Sequence, residues 1–139
     1  MDASRRQAWV RAALLLGVVY FLIGRVFTLP ANHVHVWRLA AWVVSGVAYA
    51  AHIGYEHFRL CNSPRLTAVH VGVAVAIGAC ALAVAGMIHS LSTASATRPA
   101  WLLAIVIWPA VTGLPAFLGA LVAGAMLPRS PRRADADAE

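Results

Sequence analysis

Four long apolar runs constrain the fold of this sequence more than any other feature. They extend over residues 8–29, 36–58, 66–91 and 100–127, and the last two contain no formally charged residue. About 20 predominantly apolar residues are enough for a helix to cross the hydrocarbon core of a bilayer. Each run reaches that length. The sequence therefore predicts an all-α protein, a single four-helix transmembrane bundle that occupies residues 1–128.

The composition agrees with a membrane location. The chain is 61% hydrophobic and only 12% charged, whereas a soluble domain is nearer half apolar and a quarter charged. A net charge of +6 would suggest nucleic acid as the partner of a soluble protein. Here the arginines lie at the ends of the apolar runs, so we expect the lipid bilayer as partner and no nucleic acid. An Ala- and Val-rich chain with Arg but no Lys is typical of GC-rich bacterial genomes, which favours the bacterial inner membrane.

The arginines also predict the orientation of the chain. The N-terminal end, the connection 59–65 and the C-terminal end carry eight of them, whereas the opposite side carries Arg25, Arg38 and Arg98. Positive residues accumulate on the cytoplasmic side. Because the connections are short, neighbouring helices should run antiparallel. We therefore expect an up-down-up-down bundle with both termini in the cytoplasm, followed by a charged, disordered cytoplasmic tail at 129–139.

The second run carries a polar stripe that includes a carboxylate. At 100° per residue its polar groups fall on one side of the helix, and they are Arg38, Trp42, Ser45, Tyr49, His52 and Glu56. Polar side chains within a membrane normally face the bundle interior or a partner. Glu56 should therefore point inward, about one turn from the cytoplasmic surface. The alternative is that Glu56, His57 and Arg59 only form the solvated end of the helix.

Histidines at matching depths on the second and third runs extend this pattern. His70 lies opposite His52, which gives a candidate functional cluster of Tyr49, His52, Glu56 and His70. At the outer end, the candidate cluster consists of Arg25, His35, Arg38 and His89. Arg25 can extend its guanidinium group to the nearby membrane interface, which accounts for its position in an apolar run. The alternative is that Arg25 and Arg38 face an anionic ligand.

Three interpretations of these histidines remain open. They can form interhelical hydrogen bonds, ligate haem b as a bis-His pair, or relay protons through His52, Glu56 and His70. The small residues along the third run, Ala74, Gly78, Ala81 and Ala85, favour close helix contact and argue against a porphyrin. We therefore expect no cofactor and no stoichiometric haem. The motif His33-Val34-His35 is too short to predict a metal site, so none is expected.

Small residues recur every four positions on two runs. The rows are Gly46, Ala50 and Gly54 on the second run and Ala116, Ala120 and Gly124 on the fourth. Such rows let helices approach closely in membranes, although an Ala-rich composition also produces them by chance. We expect both rows to pack against other helices.

No catalytic motif is present, and no nucleophile has an evident base and orienting group. We therefore expect no catalytic residues and no enzymatic activity. The leading prediction is a small membrane protein that acts through helix–helix association, as an accessory subunit of a membrane complex or as a homo-oligomer. The alternatives are a transporter or proton-conducting protein that uses His52, Glu56 and His70, and a bis-His haem b electron carrier.

Overall fold

The computed structural model describes residues 3–27, 32–93 and 98–128. This part of the chain forms four α-helices and contains no strand, so the all-α prediction is confirmed. The helices are α1 (Ala3–Val26), α2 (Val34–Gly54), α3 (Pro64–Ser92) and α4 (Arg98–Met126), and a single π-helical turn, Tyr55–Arg59, extends α2. All four are long and apolar enough to cross a membrane. The predicted tail at 129–139 lies outside the described residues.

The connection between α2 and α3 has clear local causes. Cys61 adopts a left-handed conformation, with φ 52°, which reverses the chain after the π-helical turn. Ser63 then caps α3, since its side chain accepts a hydrogen bond from the Leu66 amide at 3.3 Å. Pro64 occupies the first turn of α3, where a missing N–H costs nothing.

Helix α3 is central and packs against both α1 and α4. On the α1 side, a Cβ added at Gly78 would lie 3.0 Å from the Gly17 carbonyl oxygen. Contacts follow the same order along both helices, Gly17 with Ile77 and Gly24 with Leu82, so α1 and α3 run in the same direction. Glycine at these positions lets the two backbones approach closely.

Helix α4 packs against the other side of α3 in the opposite direction. A Cβ at Gly72 would lie 3.3 Å from the Gly113 carbonyl oxygen, and one at Gly124 would lie 3.3 Å from Cα of Pro64. The buried hydrophobic cluster lies near the beginning of α3 and consists of Ile53, Ala68, Val71 and Ala120. Pro109 and Pro115 lie inside α4, yet the helix continues through both.

Helix α2 is the peripheral helix. Its first four turns bury little surface: Trp42 is 79% exposed and Leu39 is 69% exposed. Only its C-terminal end, with His52 and Ile53, is buried. The beginning of α2 contacts the end of α1, where the rings of Trp37 and Phe27 lie 5.9 Å apart. Most of α2 therefore faces lipid or a partner rather than its own bundle.

Candidate functional site

The π-helical turn at the end of α2 determines which side chains enter the bundle. The Leu60 amide bonds to the Tyr55 carbonyl oxygen, five residues back, at 3.2 Å. A π turn widens the helix by one residue, and such turns are frequent at functional sites. Here the consecutive residues Glu56 and His57 are both buried. A regular helix would have separated two consecutive side chains by about 100°.

Glu56 lies at the centre of a buried polar cluster, and its side chain is 1% exposed. Its Oε2 lies 2.9 Å from Nδ1 of His70 on α3 and accepts a hydrogen bond from Nδ2 of Asn62. Its Oε1 lies 3.8 Å from Nε2 of His52, one helical turn earlier. The structure thus brings His52, Glu56 and His70 together, whereas Arg65 is exposed.

Aromatic and hydroxyl groups complete the surroundings of this cluster. The ring of Trp9 on α1 lies 5.0 Å from the ring of His70 at an angle of 33°. Thr67, one turn before His70 on α3, is fully buried. Three elements therefore surround the carboxylate: α1, α3 and the turn that follows α2.

Several buried polar atoms in this region have no hydrogen-bond partner. They are both ring nitrogens of His52, Oε1 of Glu56, Nε1 of Trp9, Oγ1 of Thr67 and Nδ1 of His57. Buried polar groups are normally paired, because desolvation without a partner costs about 1–3 kcal/mol each. A concentration of such atoms around one carboxylate distinguishes this site from ordinary helix packing.

Two further contacts attach the end of α2 to α4. The Tyr49 hydroxyl donates to the Ala116 carbonyl oxygen at 2.6 Å, and Nε2 of His57 lies 2.9 Å from the Pro128 carbonyl oxygen. A Cβ at Gly119 would lie 2.7 Å from the Tyr49 hydroxyl, so glycine there leaves space for this hydrogen bond. Tyr49 thus bonds to α4 rather than to His52 or Glu56.

The predicted outer cluster has a different environment. Arg25, His35, Arg38 and His89 are all exposed. Arg25 takes part in an interaction within the chain. The structure gives no buried site at this end that these four side chains line together. Their role as an anion-binding cluster stays a prediction.

The two small-residue rows lie in different surroundings. On α4, Ala120 is fully buried and Gly124 contacts Pro64 of α3. On α2, a Cβ added at Gly46 or Gly54 would meet nothing within 4 Å, and Ala50 is exposed. Within the described residues, the α2 row therefore has no helix packed against Gly46 or Gly54, and its packing against a partner helix stays a prediction. Helix α2 is buried in the bundle only at its C-terminal end, through His52 and Ile53 and then Glu56 of the π-helical turn.

The positions of the side chains in this polar cluster decide whether it can hold a metal ion or a haem. Within the described residues, no group of three His, Cys, Asp or Glu side chains is placed to hold a metal ion. His52 and His70 both lie within 3.8 Å of the same carboxylate. A bis-His haem would require the two imidazoles to face each other across a porphyrin, at the position that Glu56 occupies. The residues present do not fit that group.

Sequence reasoning missed four members of this site: Trp9, His57, Asn62 and Thr67. Trp9 lies at the beginning of an apolar run, where aromatic residues are common at the membrane interface, and Asn62 lies in a connection without a recognisable motif. His57 falls outside the stripe drawn for a regular helix, yet it is buried within the π turn. The neighbouring cysteine and proline were the only signals of an unusual backbone after position 60.

No family model, no curated protein and no solved structure matches this chain.

Proposed function

We propose that this chain is a multi-pass protein of the bacterial inner membrane that acts through helix association and has no enzymatic activity. It runs up-down-up-down with both termini in the cytoplasm, as the distribution of its arginines favours. It works either as a homo-oligomer or as an accessory subunit of a larger membrane complex. Helix α2 provides the contact surface.

The open small-residue row on α2 is the observation that carries this proposal. Gly46, Ala50 and Gly54 recur every four residues, and in the part of the chain that the structure describes no atom would lie within 4 Å of a Cβ at Gly46 or Gly54. Small residues at this spacing allow two transmembrane backbones to approach closely, so that dispersion and interhelical hydrogen bonds stabilise the pair. A partner helix would also cover part of the apolar surface beside the row, at Leu39 and Val43.

Cysteine crosslinking in native membranes tests the proposal. Cys61 and Cys80 are first replaced by Ala, and a single cysteine is then placed at Ala50 on the row. Its matched control is a cysteine at Ala51, which is also exposed but projects about 100° away. The Ala50 cysteine should crosslink, either to a second copy or to one larger subunit, and the Ala51 cysteine should do so much less. Equal yields, or none at either position, would contradict association through this row.

A leucine at Gly46 separates the two forms of association. In detergent, native mass spectrometry of the wild type should give a multiple of 14.7 kDa for a homo-oligomer. Gly46→Leu should reduce that mass to the monomer, whereas Ala51→Leu should not. A wild-type monomer whose Ala50 crosslink contains another protein identifies an accessory subunit.

A further inference from the structure

We propose that His52, Glu56 and His70 form a proton-binding site inside the bundle, and that this site exchanges protons only with the side of the membrane on which the 59–65 connection lies. The inference is independent of helix association, because it concerns the buried face of α2 and not its open row. It also differs from proton conduction, which requires access from both sides.

A bound proton would balance the charge of this cluster. With both imidazoles neutral and Glu56 ionised, the buried cluster would carry a charge of −1. The arginines whose side chains the structure describes are all exposed and give no buried counter-charge: Arg11, Arg25, Arg38, Arg59 and Arg65. An isolated buried carboxylate is costly and is normally paired or protonated. One additional proton, on an imidazole or on the carboxyl group, makes the cluster neutral.

The cluster contains the acceptors and donors that exchange of this proton needs. Nδ1 of His70 and Oε2 of Glu56 are 2.9 Å apart, so a proton already lies between them in either protonation state. On the other side, Oε1 of Glu56 and both nitrogens of His52 are buried without a partner. Nε2 of His52 is 3.8 Å from Oε1, which a small side-chain rotation would convert into a hydrogen bond. Glu56 can therefore accept a proton from one imidazole as a carboxylate and, once protonated, pass a proton to the other.

Access to the site exists from one direction. Asn62 bonds to Oε2 of Glu56 and is itself partly exposed in the connection between α2 and α3. Towards the opposite side, the buried residues of α3 from Val71 to Ala83 are apolar, and the next buried polar residue is Ser90 near the end of the helix. The nearest hydroxyl on α2, that of Tyr49, donates to a carbonyl oxygen of α4. The hydroxyl of Tyr20 on α1 is also buried but has no hydrogen-bond partner, so the described side chains form no continuous hydrogen-bonded path from the cluster to the far side.

Other titratable groups lie around this end of the bundle and need separate controls. His57 is buried and its Nε2 bonds to the Pro128 carbonyl oxygen. Arg59 and Arg65 flank the connection and are exposed, as is Arg11 on α1. Cys61 is partly exposed in the connection itself. Helix α4 has no titratable side chain other than Arg98 at its beginning, far from the site. His57 is therefore the one other histidine that could titrate here.

Trp9 provides an optical reporter of the site, because its ring lies against His70. A protonated imidazole quenches an adjacent indole more strongly than a neutral one does. The experiment uses the full chain in nanodiscs, with every other Trp replaced by Phe (Trp37, Trp42, Trp101 and Trp108). Emission of Trp9 should change with pH in a single transition.

Variants assign this transition to the cluster. Glu56→Gln should move its midpoint by about one pH unit or more, since it removes the charge that faces His70. His89→Gln, on the same helix but exposed, should leave the midpoint unchanged, and His57→Gln should change it much less than Glu56→Gln. Emission that does not titrate, or a midpoint unaffected by Glu56→Gln in a variant with wild-type helicity, would overturn the proposal. Zinc that remains bound after dialysis and is lost in Glu56→Gln would replace it with a metal site.

The side of the membrane from which protons reach the site can be tested without changing any residue of the cluster. The single-Trp protein is reconstituted in vesicles, and a membrane-impermeant thiol reagent applied to Cys61 identifies preparations with one orientation. Trp9 emission should follow the pH of the compartment on the Cys61 side only. Proton flux, measured with a dye inside the vesicles, should not exceed that of protein-free vesicles. Emission that follows the opposite compartment, or a flux that Glu56→Gln abolishes, would overturn one-sided exchange.

Discussion

Gly78 on α3 lies against the backbone of Gly17 on α1, so closely that a Cβ on Gly78 would stand 3.0 Å from the Gly17 carbonyl oxygen. The same Cβ would stand 2.7 Å from Cβ of Tyr20. Neither neighbouring atom is at the flexible end of a side chain, so the helices themselves would have to move apart. The close approach of α1 and α3 at this point therefore requires a residue without a Cβ, glycine, at position 78.

Replacement of this glycine tests the contact. Gly78→Ala should lower the free energy of unfolding by about 1–3 kcal/mol, the usual cost of overpacking. Val84→Ala at an exposed position of α3 is the control, since it changes no position at which α3 touches the α1 backbone. That substitution should change the free energy of unfolding by less than about 0.5 kcal/mol. Thermal unfolding in detergent, followed by circular dichroism, measures both. Equal effects of the two substitutions would show that α1 does not pack where the structure places it.

The Glu56 carboxylate should stabilise the end of α2 against α3. Glu56→Gln keeps the shape of the side chain but removes its charge and one acceptor, so it should lower the free energy of unfolding by about 1–3 kcal/mol, the usual strength of hydrogen bonds to charged groups. His89→Gln at an exposed position of α3 should change it by less than about 0.5 kcal/mol. Denaturant titration of the two variants measures the difference. If Glu56→Gln changed the free energy of unfolding by less than about 0.5 kcal/mol, as at an exposed position, Glu56 would instead belong to the solvated end of the helix.

The Tyr49 hydroxyl should hold α2 against α4 through its hydrogen bond to the Ala116 carbonyl oxygen. Tyr49→Phe removes only this oxygen and should lower the free energy of unfolding by about 0.6–2 kcal/mol, the range for interhelical hydrogen bonds in membranes. Tyr55→Phe provides the control, since Tyr55 is 51% exposed and its hydroxyl has no corresponding bond in the described structure. The comparison uses thermal unfolding in one detergent. If Tyr55→Phe cost as much as Tyr49→Phe, the bond to α4 would contribute nothing measurable.

Cysteine accessibility should reveal the orientation in the membrane. With both termini cytoplasmic, a membrane-impermeant thiol reagent added outside intact cells should not label the native Cys61 in the connection between α2 and α3. A cysteine introduced at Ser95, between α3 and α4, should be labelled, in a background in which Cys61 and Cys80 are replaced by Ala. The expectation rests on the excess of arginines at one side. Labelling of Cys61 but not of the Ser95 position would reverse the orientation.

The sequence by itself determined the number and length of the helices. Hydropathy summed over about 20 residues is a local property, and neighbouring helices hardly affect it, so the four helices could be placed to within about five residues, with the largest difference at the beginning of α1. The sequence also placed His52 and Glu56 on one face, because a separation of four residues is one helical turn. The histidine on α3 followed from its matching depth.

Only the tertiary structure decided which faces touch. The rows of small residues on α2 and α4 have the same spacing in the sequence. Gly124 nevertheless contacts α3, whereas a Cβ at Gly46 would meet no atom of the described residues within 4 Å. Contact depends on which residues another helix presents at the same depth, and no local pattern contains that information. The π turn that buries both Glu56 and His57 is likewise stabilised from outside α2, by Asn62 and His70 on the carboxylate and by the Pro128 carbonyl oxygen on His57. These partners come from the following connection, from α3 and from the end of α4, so the polar cluster exists only once the helices have packed.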